Sequence, residues 1–267
     1  MDLESFNTSR ESLVPLLALN NKSNKNIIIF PTDKEAIEFS TDFSNLNKNI
    51  FHLPSWDTLS YDSFVPSFDI QGKRLEIAHL LLTNNNYNIA TSIKAISQRI
   101  YFEELEICKI ELNEEIDFDS LIENLIHLKY QRKDRVESKG SFAIRGGQLD
   151  VYPINYDLPL RVIFDGDLVN EIKTFDTISQ RSISEKSNFL VVPATELFQI
   201  QQSDILNLSS HNKENLDDYE LFQYSQNLDL EKCLLDLTSK ATLHIVDKNL
   251  VDNQLKEIID IEKDTFE

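Results

Sequence analysis

The distribution of glycine constrains the fold of this chain more than any other feature. The 267 residues contain only five glycines, and four of them lie between residues 140 and 166. Because glycine adopts positive φ angles at little steric cost, Gly146-Gly147 and Asp165-Gly166 predict two tight hairpin turns. Apolar and polar residues alternate on both sides of these turns, as in Phe142 to Val151. The middle of the chain is therefore predicted to form a small antiparallel sheet.

The residues on both sides of this region predict a different architecture. Short apolar runs alternate with helical patterns, and a continuous apolar run is typical of a parallel strand covered on both faces. Such alternation predicts an α/β layer with a mostly parallel sheet. Capping-box spacing at Thr32–Glu35 and at Ser120–Glu123 predicts two helix starts. The predicted strands lie at residues 26–30, 49–53, 87–91, 189–193 and 242–246.

These patterns predict three segments. Residues 1–105 are the first part of an α/β domain, residues 106–187 are a small α+β hairpin domain, and residues 188–267 return to the α/β domain. The predicted fold class is thus α/β, with a parallel-sheet domain interrupted by a small α+β domain.

Charge and composition argue against several classes of function. A net charge of −19 disfavours a nucleic-acid-binding surface, since neutralising phosphates requires clustered Lys and Arg. Two cysteines without a CxxC pair favour a reducing compartment and disfavour a zinc site. The N-terminus shows no signal peptide, and the sequence has no apolar run long enough to span a membrane. These features predict a cytoplasmic protein.

The sequence also lacks the motifs of nucleotide chemistry and of hydrolysis. The Gly-Lys pair Gly72-Lys73 has Ser67 in place of the first glycine of a P-loop and Arg74 in place of its Ser or Thr. No GxSxG or HExxH motif occurs. We therefore predict no catalytic residue, no cofactor and no metal, and we expect that this chain alone is not an enzyme.

The chain contains one basic run, at residues 129–135, although its net charge is acidic. Lys129, Arg132, Lys133 and Arg135 flank or follow Tyr130. The run is either a contact for nucleic acid or an acidic partner, or a solvated stretch after a helix. Since phosphate binding typically needs a broader basic field, we expect no tight DNA binding.

Two blocks of sequence resemble a known family. Residues 53–80 match the loop and helix in the N-terminal region of the bacterial transcription-repair coupling factor (Mfd) family at Leu53, Pro54, Trp56, Asp57, Leu59, Tyr61, Asp62, Phe64, Pro66, Asp69, Ile70, Arg74 and Leu75. The second block begins with the stretch from Gly140 to Gly146 and continues through Leu149, Asp150, Pro153, Leu158, Pro159, Arg161, Phe164, Phe175, Asp176, Ser179, Gln180 and Arg181. The resemblance covers residues 20 to 200.

The resemblance implies both a fold and a partner. It implies a degenerate, helicase-like (RecA-like) domain interrupted by a small domain that docks on UvrA, as in the related repair protein UvrB. Longer relatives continue into an RNA-polymerase-binding domain and an ATP-dependent DNA translocase, and this region packs against that motor half. The implied function is recruitment of UvrA to lesions that stall RNA polymerase. The alternatives are a UvrB-like ATPase and an acidic regulatory domain that masks a basic surface on another protein.

The resemblance and strand alternation together predict the partner-binding residues. Leu160, Val162 and Phe164 are expected to face the core, so that Arg161, Ile163 and Asp165 face outward. By resemblance, Arg145 and Arg161 match the arginines of the UvrA-binding surface, and relatives carry an aromatic residue in place of Asp165. We therefore expect a UvrA contact formed by Arg145, Arg161, Ile163 and Asp165.

Overall fold

The computed structural model describes residues 25–45, 50–58, 64–84, 86–100, 104–200, 220–222, 233–237 and 241–266. Three residues of the first matching block, Leu59, Tyr61 and Asp62, lie outside these ranges. The chain divides into two units: unit 1 comprises residues 1–66, 77–100 and 201–267, and unit 2 comprises residues 67–76 and 101–200. The domain boundaries predicted from the sequence, at residues 105/106 and 187/188, stay predictions.

Unit 1 is built on a parallel sheet of four strands in the order β12-β1-β3-β2. The strands are β1 (Lys25–Phe30), β2 (Phe51–Leu53), β3 (Tyr87–Ser92) and β12 (Thr242–Ile245). Helices α1 (Asp33–Ser44), α3 (Ile93–Ser97) and α5 (Lys248–Phe266) belong to the same unit. Apolar side chains of β1, α1 and their neighbours form its core, namely Ile28, Phe30, Ala36, Phe39, Phe43, Ala90 and Val246. The predicted parallel sheet is confirmed.

Unit 2 is dominated by a six-stranded sheet in the order β10-β9-β8-β7-β6-β5, antiparallel except for the pair β5 and β6. Its strands are β5 (Gln131–Arg132), β6 (Ser141–Arg145), β7 (Gln148–Tyr152), β8 (Leu160–Asp165), β9 (Leu168–Phe175) and β10 (Ser182–Glu185). A two-stranded sheet pairs β4 (Cys108–Glu111) with β11 (Asn188–Val191), and α4 spans Phe118–His127. The mixed α/β class with parallel and antiparallel sheets is thus confirmed.

The hairpins of unit 2 follow the glycine signals with one shift. Gly146 has a φ angle of +61° in the turn between β6 and β7, as predicted. In the second hairpin Asp165 is the last residue of β8, and the two turn residues are Gly166 and Asp167. The predicted turn was therefore wrong by one residue, because Asp165 pairs with Leu168 and extends the ladder.

Of the two predicted helix starts, one is confirmed and one was wrong. Thr32 caps α1 as predicted, and its side chain accepts a hydrogen bond from the Glu35 amide at 3.3 Å. The predicted cap at Ser120 was wrong, because α4 begins at Phe118 and its N-cap is Asp117. The Asp117 carboxylate accepts a hydrogen bond from the Ser120 amide at 2.7 Å. Aspartate is an equally good N-cap, so the earlier residue takes the role.

Helix α2 (Phe68–Thr83) begins in unit 2, where one glycine sets its packing. A Cβ atom on Gly72 would lie 2.6 Å from the carbonyl oxygen of Ile154, closer than side chains pack. Gly72 therefore allows the backbone at Ile154 to approach the helix closely, and this packing accounts for the glycine without a phosphate-binding role.

Candidate functional site

The six-stranded sheet of unit 2 has one buried face and one face that carries the polar side chains of β7 and β8. Along β8, Leu160, Val162 and Phe164 are buried, whereas Arg161 and Ile163 are half-buried and Asp165 is exposed. The predicted alternation is confirmed, and it places Arg161, Ile163 and Asp165 on what we call the outer face.

Arg161 is held within unit 2 by a carboxylate on the neighbouring strand. Asp150 lies opposite Arg161 in the β7–β8 ladder. Arg161 donates from Nε to Asp150 Oδ1 at 2.7 Å and from Nη2 to Asp150 Oδ2 at 2.8 Å. This is the bidentate geometry in which a guanidinium binds a carboxylate most tightly. The hydrogen bond to Asp150 raises the pKa of Arg161 above its ordinary value, against a smaller lowering by burial.

The remaining contacts of the Arg161 guanidinium fix its plane. Its Nη1 atom donates to the backbone carbonyl of Gln180 at 3.1 Å. Its Cζ atom lies 4.5 Å from the centre of the Phe175 ring, within range of a cation–π interaction. The side chain is only 16% exposed, so Arg161 faces outward but has most of its surface covered.

Arg145 sits differently, at the end of β6 beside the first glycine turn. Its Nη2 atom donates to the backbone carbonyl of Asp134 at 3.1 Å, and the residue is exposed. In the ladder Arg145 is opposite Gln148, and Gln148 is opposite Ile163. Arg145 and Ile163 therefore share one row of the outer face, two residue pairs further towards the turn than Arg161 and Asp150.

The sequence pointed to the arginines of this face but missed the groups that orient them. Asp150 accepts from Gln148 Nε2 at 3.0 and 3.1 Å in addition to its two bonds with Arg161. Gln180 adopts a positive φ angle of 60°, which turns its carbonyl towards Arg161. Asp150 and Arg161 carry opposite charges on neighbouring strands, and this could have indicated the pair from the sequence. Predicting it would have required the register between β7 and β8, which the sequence pattern does not give.

Unit 1 contains a second polar cluster, at the carboxyl ends of its parallel strands. Asp33, in the first turn of α1, accepts hydrogen bonds from the hydroxyls of Ser55 and Ser92, the latter at 2.7 Å. The Ser55 amide also donates to Asp33 Oδ1 at 3.3 Å. Ligands of open α/β sheets bind at this edge, and anions bind at helix N-termini. Here a carboxylate, that of Asp33, lies in the first turn of the helix at this edge.

The Cys108 thiol and the arrangement of metal-binding side chains bear on other kinds of chemistry. Burial raises the pKa of the Cys108 thiol to about 11, so that it stays protonated at neutral pH. Within the described ranges, no three His, Cys, Asp or Glu side chains are grouped so as to hold a metal ion. In the same ranges, no helix combines the length and the apolar character that crossing a membrane requires.

Comparison with known proteins identifies the region that contains the outer face. Residues 108–197 match the model of the UvrB interaction domain. The chain is 27% identical to the transcription-repair-coupling factor of Bacillus subtilis strain 168 over an alignment of 289 residues, covering 93% of this chain and 24% of that protein. It is 28% identical to the Escherichia coli K12 protein of the same name over 174 residues, which cover 64% of this chain and 15% of the relative.

A second group of relatives is more distant. The chain is 22% identical to UvrABC system protein B of Thermosipho africanus strain TCF52B over 215 residues, covering 74% of this chain and 32% of that protein. The predicted resemblance to the transcription-repair coupling factor family is thus confirmed over most of the chain. The chain spans about a quarter or less of the length of the transcription-repair-coupling factors that it matches.

Proposed function

We propose that this chain is a non-catalytic interaction module of a transcription-repair coupling factor, and that it recruits UvrA for nucleotide excision repair of lesions that stall RNA polymerase. The observation that supports this proposal is the position of the outer face. The residues that match the UvrB interaction domain are those that form the sheet carrying Arg145 and Arg161. We place the protein in the cytoplasm, where those partners act.

The chemistry of the outer face suits a protein partner. The exposed Arg145 and the half-buried Ile163 lie in one row with Gln148 between them, so the row combines a planar hydrogen-bond donor with an apolar side chain, and arginine is enriched in protein interfaces. A guanidinium binds a carboxylate on a partner through two parallel hydrogen bonds. The guanidinium of Arg145 is more exposed to solvent than that of Arg161. Arg145 is therefore the stronger candidate for a direct ionic contact.

We further propose that unit 1 is a degenerate helicase-like (RecA-like) domain without ATPase activity. Its four described strands are parallel, and the helix that follows β1 begins with an acidic residue, Asp33. A carboxylate at this helix N-terminus repels phosphate, which disfavours the alternative of a UvrB-like ATPase. ATP-dependent DNA translocation would belong to other parts of a longer protein. We also propose that this module packs against the motor half of such a protein.

Two residues of the basic run are used within unit 2, which argues against a DNA contact. Arg135 donates to the carbonyls of Thr177 and Ile178 at 2.8 and 2.9 Å, so its guanidinium is used within unit 2. Tyr130 is buried, with its hydroxyl donating to the Val192 carbonyl, and thus offers no stacking surface to a base. We propose that this chain alone does not bind duplex DNA tightly, and tight, salt-sensitive binding in a gel-shift assay would contradict this.

Binding to purified UvrA, measured by calorimetry, tests the proposed function. We expect the wild-type chain to bind and Arg145→Ala to weaken binding by about 1–3 kcal/mol, the loss typical of an interface arginine. Lys34→Ala, an exposed cation in α1 of unit 1, is the control and should leave the affinity unchanged. No binding by the wild-type chain would refute the function, and unchanged affinity of Arg145→Ala would refute this placement of the contact.

A further inference from the structure

One isoleucine of unit 2 is almost fully exposed on a loop that the rest of the unit holds in place. Ile178 is 86% exposed, more than any other large apolar side chain among the described residues. It lies in the connection between β9 and β10, residues 176–181, which we call the 176–181 loop. Single exposed apolar residues are common on protein surfaces, so exposure alone assigns no role to Ile178.

The 176–181 loop differs from an ordinary exposed loop in its internal hydrogen bonds. The Asp176 carboxylate accepts from the Ser179 amide at 2.7 Å, and the Asp176 carbonyl accepts from the Gln180 amide at 2.8 Å. The Asp176 amide donates to the Arg181 carbonyl at 3.0 Å, which closes the base of the loop. Gln180 Nε2 donates to the Thr177 carbonyl at 2.8 Å. The loop is therefore ordered before any partner arrives.

Two arginines from other parts of unit 2 fix the loop from outside. Arg135 donates to the carbonyls of Thr177 and Ile178, the latter at 2.9 Å. Arg161 donates to the carbonyl of Gln180 at 3.1 Å. An apolar side chain on a pre-organised loop loses little conformational entropy when it enters a partner's pocket. The arrangement thus has the properties of an interface anchor.

The same contacts limit what Arg161 itself can offer to a partner. All three of its side-chain nitrogens donate within unit 2, to Asp150 and to Gln180. Its side chain is 16% exposed, against 86% for Ile178. Arg161 thus joins the β7–β8 part of the outer face to the loop and has little surface left for a direct contact.

We propose that Ile178 is an apolar contact residue of the partner-binding surface, and that Arg161 is a positioning residue that holds the loop presenting it. The proposal rests on the proposed function, since the partner is the UvrA-type protein that the outer face binds. The occupant of the site is then an apolar pocket on that partner. The continuity of the loop with the outer face through Arg161 argues for this partner.

Calorimetry with purified UvrA tests the role of Ile178. We expect Ile178→Ser to weaken binding at least about tenfold, the loss expected when an interface anchor is truncated. Ile126→Ser is the matched control, because Ile126 is a 55% exposed isoleucine on α4 without a hydrogen-bonded link to the loop. Thermal unfolding of both variants should match the wild type, since neither side chain is buried. Equal affinity of Ile178→Ser and wild type would overturn the proposal while leaving the proposed function intact.

A double-mutant cycle tests the positioning role of Arg161. Arg161→Lys keeps the charge but loses the fork that reaches both Asp150 and Gln180. We expect it to weaken UvrA binding in the wild-type background and to have no further effect in the Ile178→Ser background. It should also speed hydrogen exchange of the Gln180 amide in the free chain. Additive losses would overturn the positioning role and assign Arg161 to direct contact.

Self-association is the competing explanation for an exposed isoleucine. Light scattering of the wild-type chain and of Ile178→Ser decides it. A dimer that Ile178→Ser dissociates, with an unchanged affinity for UvrA, would overturn the proposal, because the pocket for Ile178 would then lie on a second copy. A monomer in both variants, together with the loss of UvrA affinity, supports it.

Discussion

Each unit contains an aspartate that accepts several hydrogen bonds, but the two aspartates have different donors. Asp33 in unit 1 accepts from the hydroxyls of Ser55 and Ser92. Asp150 in unit 2 accepts from the guanidinium of Arg161 and the amide of Gln148. The donors of the first carboxylate carry no charge. The second forms an ion pair that orients a cation on the face of a sheet.

The difference shows how similar polar groups lead to different surfaces. At the edge of the parallel sheet, where sheets of this kind bind ligands, the first turn of α1 carries the carboxylate of Asp33. On the antiparallel sheet, the carboxylate of Asp150 is 5% exposed and holds Arg161 in one orientation. We infer that Asp33 disfavours anions at this edge of the parallel sheet, and that the outer face of unit 2 is arranged for a partner.

Removing the charge of Asp150 should give the largest effect. In Asp150→Asn, one amide oxygen can still accept from Arg161, but the new NH₂ group faces a guanidinium that only donates. We expect the free energy of unfolding to fall by about 2–3 kcal/mol, since hydrogen bonds to charged groups are lost in a poorly solvated position. Urea denaturation measures this loss, and UvrA affinity should fall with it because Arg161 is released.

The control for this variant is an exposed aspartate of the same unit. Asp167→Asn changes a carboxylate in the turn between β8 and β9 that is open to solvent. We expect a change in unfolding free energy within about 0.5 kcal/mol. If Asp150→Asn is as stable as this control, the ion pair contributes nothing and the contrast between the two aspartates is lost.

Removing the charge of Asp33 should have a smaller effect, because its donors are adaptable. A serine hydroxyl both donates and accepts, so an asparagine can accept from one serine and donate to the other. We expect Asp33→Asn to lower the free energy of unfolding by about 1 kcal/mol. The control is Asp252→Asn, an exposed aspartate in α5 of the same unit. A loss as large as that of Asp150→Asn would show that the charge of Asp33 has a bonded partner of its own.

The sequence predicted the elements around both aspartates better than it predicted their bonds. The cap at Thr32 and the strand alternation from Leu160 to Asp165 depend on residues within one turn or one strand, and both were confirmed. The partners of Asp33 come from 22 and 59 residues further along the chain. Only the folded sheet brings such distant residues together, and no local pattern indicates the pairing.

The Asp150–Arg161 pair was missed for a related reason. A two-residue turn fixes the register of the strands it joins, but residues 153–159 connect β7 to β8 by a longer path. The contact between Arg161 and the Gln180 carbonyl additionally depends on a positive φ angle at a residue other than glycine. Neither feature can be derived from propensity or alternation.

Truncation of Gln148 should lower the free energy of unfolding less than Asp150→Asn does. Gln148 donates to both oxygens of Asp150 from a half-buried position, and it carries no charge. We expect Gln148→Ala to cost about 0.5–1 kcal/mol, because Arg161 still satisfies the carboxylate. Chemical denaturation measures the stability, and a loss equal to that of Asp150→Asn would place the amide, and not the guanidinium, as the main partner of Asp150.

The smallest expected effect concerns ATP, for which we predict no binding by the wild-type chain and no gain in Asp33→Asn. Removing the negative charge removes one repulsion, but phosphate binding by this kind of sheet also needs glycine amides and a lysine that surround the phosphates. The connection between β1 and α1 is Pro31-Thr32, which contains neither. Proline lacks an amide donor, and the Thr32 side chain already accepts from the Glu35 amide. Calorimetric titration with magnesium and ATP should therefore show no saturable heat for either protein. Saturable binding at micromolar ATP by the wild type would refute the inference that Asp33 disfavours anions at this edge of the parallel sheet. Saturable binding by Asp33→Asn alone would show that the aspartate is the single barrier.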